Sequence, residues 1–350
     1  MKTIIARNVN DALKQGIKLI KLNGEEVDSR VGKTLEIPCP VATVYQSPWE
    51  RVLLNKERDA NPFFHLMESI WILAGRKDVK FLSEFNKRIA DYSDNGRTFN
   101  AAYGYRLRNS TGTVNSDKDQ LLQVIEILKK DPTSRQAVAQ IWDQEDLSNN
   151  TKDKACNMSI VFRIRNQELC MTVYNRSNDM VWGAYGANAV QFSMIQEYVA
   201  AKLNLPMGEY TQITNSYHVY TEGAGGIVWD RIKDQLETCE NPYIKCPNLV
   251  LLCHDEMLDF EHDLNMFFNI YDNESWGLPE IGELSCWRSE YFKHLVIPVL
   301  CVYLIHKKYG AEEAMSYINS IYADDWRTAC NDWLSTRITN QEAKQNTINK

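Results

Sequence analysis

Residues 156–179 read CNMSIVFRIRNQELCMTVYNRSND. Two runs rich in apolar and β-branched residues, 158–164 and 168–174, flank the polar pair Asn166-Gln167, the pattern of two strands joined by a tight turn. Working outward, 136–142 (QAVAQIW) suits another strand, and so does the stretch from Tyr210 to Tyr220. Residues 189–203 (AVQFSMIQEYVAAKL) return to helical period. Residues 8–22 and 119–130 carry apolar residues at helical spacing, the second run ending at Asp131-Pro132. Residues 62–76 read as a helix stopped by Gly75, and 78–89 continue helically. Residues 34–46 look like strand interrupted by prolines, and from about 225 onward the pattern is helical and aromatic-rich. This order predicts an α+β fold. A mixed sheet with surrounding helices is expected over 1–235, and a mainly helical C-terminal extension over 236–350.

At 350 residues the chain can form one large domain, or one domain and a smaller companion. Thirty-nine basic against 46 acidic side chains leave a formal charge of −7, which argues against a nucleic-acid-coating surface. The N-terminal stretch MKTIIARNVNDALKQ lacks a secretory signal's sustained apolar run. The most apolar later stretch, His294 to His306, is too short to span a bilayer. No membrane partner is therefore expected. Nine scattered Cys, an odd number, point to reduced thiols and a cytoplasmic location. Cys239, Cys246 and Cys253 are separated by six residues each, wider than the roughly two to four of structural zinc sites, so no metal is expected. Trp276, Trp287, Trp326 and Trp333 are expected to pack helices or a dimer surface.

The stretch from Tyr174 to Asp179 (YNRSND) follows a predicted strand and precedes a glycine-containing loop, 183–188 (GAYGAN). Adjacent Arg176 and Ser177 can grip a phosphate, one by charge and one through its hydroxyl. Cys156 lies twenty residues upstream, at the end of a polar loop. A free Cys is ordinarily a small buried hydrophobe. Beside several Arg its pKa would fall, and it would be a competent nucleophile.

In chain order, Glu68 to Trp71 (ESIW) with Gly75, Asn95-Gly96, Tyr103-Gly104, Asp119-Gln120, Asp131 to Arg135 (DPTSR), Cys156, Arg176-Ser177 with Asp179, Gly183, Asn188, and Ser216 to Tyr220 (SYHVY) form an ordered set. This set resembles the thymidylate synthase family, which includes the pyrimidine nucleotide hydroxymethylases. The resemblance spans Arg30 to Tyr220. It implies a homodimer acting on a pyrimidine nucleoside monophosphate with 5,10-methylenetetrahydrofolate as co-substrate. Cys156 would add to carbon 6 of the base, making carbon 5 nucleophilic toward the one-carbon unit. Arg30, Arg176 and Ser177 would hold the 5′-phosphate, joined by Arg135 from the other subunit, and this cationic cluster would favour the thiolate of Cys156. His218 and Tyr220 would bind the sugar hydroxyl. Glu68 would order water and relay protons, Tyr103 would assist removal of the carbon 5 proton, and Asp179 would hydrogen-bond the pterin.

Departures from the family pattern bear on the product. Thymidylate synthases typically carry a Trp pair where this sequence has Ala90 and Ser93, and losing that shield would let water reach the exocyclic methylene intermediate. The polar end NQEAKQNTINK stands where the family has a short apolar tail. Ala155-Cys156-Asn157 replaces the usual Pro-Cys-His, and Ser134-Arg135-Gln136 replaces Ser-Arg-Arg. Asn188 can donate to oxygen 4 and accept from the ring N–H of uracil, although one extra residue between Gly183 and Asn188 leaves Ala187 as the alternative at the base. The resulting expectation is 5-hydroxymethylation of dUMP. The alternatives are thymidylate synthesis, hydroxymethylation of dCMP or CMP, and a catalytically reduced member that binds nucleotide or nucleic acid, for example as an RNA-binding regulator.

Overall fold

The structure, a computed structural model, describes residues 1–108, 119–235, 240–273, 277 and 282–348. Among the described residues eight strands form one sheet: β1 (Lys2–Ala6), β2 (Glu25–Ser29), β3 (Gly32–Glu36), β4 (Val41–Tyr45), β5 (Val138–Gln140), β6 (Asn157–Arg165), β7 (Glu168–Asp179) and β8 (Met207–Tyr220). Its main path runs β1-β4-β8-β7-β6-β5, with β3 pairing β8 and β2 pairing β3. At the β6–β7 turn Asn166 and Gln167 both adopt left-handed backbone, φ 51° and 64°. Two such residues make the turn whose twist matches the flanking strands. The hairpin keeps register from Arg165 opposite Glu168 to Ser159 opposite Tyr174. Met158 is then extra, so Asn157 faces Asn175.

β7 runs five residues past the predicted strand, through Arg176 and Ser177, because β8 supports it as a parallel neighbour. Ser177 lies across from Ser216, and Asp179 across from His218. Two stretches some forty residues apart in sequence thus become adjacent. β1 and β2 escape a pattern-based reading. The first is a short terminal strand paired in parallel with β4. The second, EEVDS, is an exposed edge strand with no buried alternation to reveal it.

The accompanying helices are α1 (Val9–Asn23), α2 (Pro62–Leu73), α3 (Val79–Phe85), α4 (Tyr103–Arg108), α5 (Gln120–Lys130), α6 (Glu145–Ser148), α7 (Asn188–Leu203) and α8 (Gly223–Ile232). Side-chain caps mark several starts: Asn8 accepts from the N–H groups of Asn10 and Asp11, and Asp119 from those of Leu121 and Leu122. Gly75, at φ 67°, follows the end of α2. The helix predicted over 78–89 instead ends at Phe85. Asn86 is extended there, and its side chain accepts from the Arg88 N–H, opening a separate 3₁₀ turn, Lys87–Tyr92.

α7 is buried from Asn188 to Ala201, so its polar residues must find partners inside. Gln196 donates to the carbonyls of Leu169 and Gly208 at 2.7 and 3.0 Å, pinning the starts of β7 and β8, and Glu197 pairs with buried Arg51 at 2.5 Å. A wide π-helical turn, Met180–Ala187, leads into α7 and is broken at Gly186.

The chain divides into two compact units: Met1–Arg51 with Met67–Cys239, and Val52–Leu66 with Glu240–Lys350. The partition predicted at 235 does not anticipate that Val52–Leu66 joins the later unit. Within that unit the Val52 N–H donates to the Tyr243 hydroxyl at 2.8 Å, Arg337 pairs with Asp59, and Phe63 lies 5.2 Å from the Tyr303 ring. The sequence hides this because α2, which begins in one unit and ends in the other, reads as one uninterrupted helix. The later unit is helical, with Met257–Asp272, Ile297–Tyr309, Ala311–Ser316 and Asp324–Ile348. Trp287 stacks on Phe292 and Trp326 is buried, while Trp276 and Cys239 lie outside the described residues. No helix among the described residues is long and apolar enough to cross a membrane.

Candidate active site

Cys156 immediately precedes β6, and its carbonyl accepts from the Arg176 N–H at 2.9 Å. The Arg176 guanidinium turns back over the same loop. It donates to the carbonyls of Ala155 and Lys154 at 2.8 and 3.2 Å and lies 3.6 Å from the Cys156 sulfur. Arg30, on the exposed turn between β2 and β3, also acts electrostatically on that thiol. Ser177 is partly buried on β7, and Arg135 stands exposed on the loop between α5 and β5.

The thiol itself departs from expectation. Burial pushes the Cys156 pKa up and outweighs Arg176 and Arg30, which pull it down; the nearby Asp153 carboxylate adds to the rise. The thiolate preference expected from the arginines is therefore corrected: the protein's own cations do not offset desolvation and Asp153.

A cleft of about 240 Å³ opens alongside, lined by Glu68, Tyr103, Asp153, Asn188 and Gln191 on its polar side and by Ile72, Leu82, Ile89 and Tyr92 among its apolar walls. Glu68 projects from α2, and burial raises its carboxyl to about 7, moderated by a 2.6 Å hydrogen bond from Gln191. Tyr103 begins α4. A Cβ at Gly104 would lie 2.2 Å from the Ile72 carbonyl oxygen, so glycine there lets α4 approach α2 closely. The Tyr103 phenol is pushed well above its ordinary value, chiefly by burial and then by Cys156 and Asp153, and a hydrogen bond to the Cys156 backbone opposes the rise. Asp153 accepts from the Ala101 N–H at 2.7 Å, and burial raises its pKa too.

The segment that replaces the family's Trp pair is built differently from expectation. Ser93 is buried in its own turn, donating to the Thr98 carbonyl at 2.8 Å and accepting from the Gly96 N–H at 3.0 Å. Ile89 and Tyr92 line the cleft. Ala90 and Ser93 are not among its lining residues, so the composition of the wall comes from their neighbours.

On β8, His218 is buried, its Nδ1 3.4 Å from the Ser216 hydroxyl, and its ring meets Tyr220 edge-on at 5.3 Å. The Tyr220 phenol is raised by burial, then by Asp179 and Cys156, and lowered by Arg30. Asp179 caps the turn into α7, one carboxylate oxygen accepting from the N–H groups of Val181 and Trp182. Asn188 donates from Nδ2 to Asn157 and Asn178, both at 3.4 Å.

The structure thus places Arg176, Arg30, Tyr103, Asp153 and Tyr220 within electrostatic reach of Cys156, and Glu68 and Asn188 on one cleft with Tyr103. Arg135 is not among the groups acting on Cys156. Asp153 and Gln191 belong to none of the sequence motifs; Asn157 and Asn178 stand in them beside Cys156 and Ser177 but carry no expected role.

The family model for thymidylate synthase matches residues 15–272. The chain belongs to the thymidylate synthase family. The match passes Tyr220, where the sequence resemblance was expected to end. The chain is 36% identical over 356 residues to a deoxyuridylate hydroxymethyltransferase of Pseudomonas phage M6, covering 99% of this chain and 97% of that protein. The region after 235 is therefore shared with that relative. A deoxyuridylate hydroxymethyltransferase of Bacillus phage SP01 is 41% identical over 251 residues, covering 69% of this chain and 66% of that protein. The crystal structure of thymidylate synthase from T4 phage superposes with a TM-score of 0.53 at 22% identity, covering 65% of this chain and 81% of that one, which places the fold with this family. Family members use a folate co-substrate.

Proposed function

We infer that the protein transfers a one-carbon unit from 5,10-methylenetetrahydrofolate to carbon 5 of dUMP and completes the reaction with water, releasing 5-hydroxymethyl-dUMP and tetrahydrofolate. The observation that carries this reading is Cys156 set 3.6 Å from Arg176, beside the cleft of Glu68 and Tyr103, in a chain that matches a phage deoxyuridylate hydroxymethyltransferase end to end.

In this reading Cys156 adds through sulfur to carbon 6, and the ring electrons then make carbon 5 the nucleophile. Arg30, Arg176 and Ser177 hold the 5′-phosphate, and the phosphate's charge is neutralised by the arginines that face the thiol. His218 and Tyr220 hold the sugar, and Asn188 reads the base. Tyr103 orients the acceptor of the carbon 5 proton. Glu68, at about 7, is half protonated at neutral pH and can both give and take a proton. Leu82, Ile89 and Tyr92 offer the apolar wall that a flat pterin requires, and Asp179, outside that lining, is its polar partner in the family pattern. The carboxyls of Glu68 and Asp153 make the same cleft hospitable to water. The reaction takes place in the cytoplasm, that of the bacterial host if the protein, like these relatives, is a phage enzyme.

Incubation with dUMP, 5,10-methylenetetrahydrofolate and ¹⁸O-labelled water tests the reading. The product is expected to be heavier than dUMP by one CH₂O unit, to carry the labelled oxygen, and to form without the absorbance rise of dihydrofolate. A methyl product with stoichiometric dihydrofolate would replace it with thymidylate synthesis.

The exposed position of Arg135 supports a second element of the proposal, a homodimer in which Arg135 completes the phosphate site of the partner subunit. Arg135→Ala and Cys156→Ser chains, each nearly inactive alone, are expected to regain activity when refolded together, because hybrid dimers contain one intact site. A fully active monomer in sedimentation would dismiss this.

A further inference from the structure

Behind Asn188 lies a chain of buried amides. Gln212, Asn178, Asn157, Asn175 and Asn188 are each 7% exposed or less, so their polar atoms depend on one another. An amide's two ends differ by few electrons, and its orientation is known only when a neighbour of fixed polarity dictates it. Here a backbone carbonyl does so. The Ala184 oxygen only accepts, and it takes a hydrogen bond from Gln212 Nε2 at 3.2 Å. Gln212 must then turn Oε1 toward Asn178, whose Nδ2 donates to it at 3.0 Å. Asn178 in turn presents Oδ1, which accepts from Asn188 Nδ2 at 3.4 Å. The other limb agrees: Asn157 Oδ1 also accepts from Asn188 Nδ2, Asn157 Nδ2 donates to Asn175, and Asn175 donates to Thr214. Space for the relay is reserved at Gly183, where a Cβ would fall 2.0 Å from Asn178 Oδ1.

Nδ2 of Asn188 is thus turned inward, toward Asn157 and Asn178, and Oδ1 is the atom left for the cleft that Asn188 lines. We propose that the Ala184 carbonyl, Gln212 and Asn178 form a one-way amide relay that locks Asn188 with its carbonyl toward the base, making Gln212 and Asn178 positioning residues for base choice. This rests on the function proposed above. An acceptor at that place is matched by the ring N–H of uracil and opposed by the bare ring nitrogen of cytosine. The two-point reading of uracil by Asn188, donating and accepting at once, is replaced by a one-point reading with the donor end withdrawn.

The test is calorimetric binding of dUMP and dCMP to the full-length protein without folate. Gln212→Met and Asn178→Ala each cut the relay at a different link. Tyr45→Phe removes two side bonds, one accepted from Gln212 and one donated to the Ala184 carbonyl, leaves the relay's own links in place, and serves as the control. Variants are first shown to be folded by their melting temperatures. The wild-type ratio of dUMP to dCMP affinity is expected to fall about tenfold in both relay variants, the scale of one buried hydrogen bond, and to stay within twofold in Tyr45→Phe. A purely structural role for these residues would weaken both nucleotides alike and leave the ratio unchanged, and that result would overturn the proposal. A wild type that prefers dCMP would sink the uracil reading, and the relay would still stand or fall on whether the ratio moves.

Discussion

Cys156→Ser is expected to lower kcat/KM for dUMP by about three orders of magnitude or more, with nucleotide binding retained. A serine hydroxyl is several units harder to ionise than a thiol, and this site gives little help. Burial already holds the Cys156 thiol above its ordinary pKa, despite Arg176 at 3.6 Å. On the function proposed above, the thiol then loses its proton in the course of the reaction, and an oxygen in its place meets the same desolvation with a weaker acid. Single-turnover kinetics with trapping of the covalent adduct measures this. Turnover within tenfold of wild type would remove Cys156 from the chemistry.

Glu68→Gln is expected to do two things at once. Turnover should fall about 10²- to 10⁴-fold, the usual contribution of a positioned acid–base group. Stability should rise at alkaline pH. The folded-state pKa of about 7 exceeds the ordinary value of 4.5, so the folded protein retains a proton that the unfolded chain has released. Stability in the wild type therefore declines as pH climbs from 4.5 to 7, and the penalty is fully present above 7. The shift corresponds to roughly 3 kcal/mol, reduced to about 2 kcal/mol because the carboxyl is partly open to the cleft. The neutral amide escapes this. Urea denaturation should show the two proteins nearly equal near pH 4.5 and the variant ahead at pH 8. A difference that ignores pH would mean Glu68 ionises normally, and an unchanged neutral limb in the pH–rate profile would deny it the proton relay.

Much of the catalytic half is legible in the sequence because its signals are local. Asn166-Gln167 announces the β6–β7 hairpin, the apolar period announces α7, and the ordered motifs point to Cys156, Glu68 and Tyr103. What stays hidden depends on three-dimensional neighbours. The direction of the Cys156 pKa follows from burial and from Asp153, a single acid in a polar loop with nothing to mark it. Ile89 and Tyr92 line the cleft in place of Ala90 and Ser93 because Asn86 starts a separate turn and sets which residues face inward. The membership of Val52–Leu66 in the later unit depends on Tyr243, Tyr303 and Arg337, far along the chain. Gln212 did leave a trace. Tyr210, Gln212 and Thr214 share the buried side of β8, and polar side chains at such positions must serve something inside.

The β6–β7 hairpin also works as a ruler. Its zero is the two-residue turn, and from there each residue of one strand is matched with one of the other, Arg165 with Glu168, then Ile164 with Leu169, and onward. Carried on unbroken, that count would bring Cys156 level with Ser177. Met158 adds one division to a single side of the scale, and Cys156 comes level with Arg176 instead. The reading at the end of the scale depends on how many residues lie along it rather than on which residues they are. Exchanges of side chain along the hairpin leave the alignment as it was, whereas one residue added to β6 would give Cys156 a hydroxyl neighbour in place of a guanidinium, with every residue of the site still present.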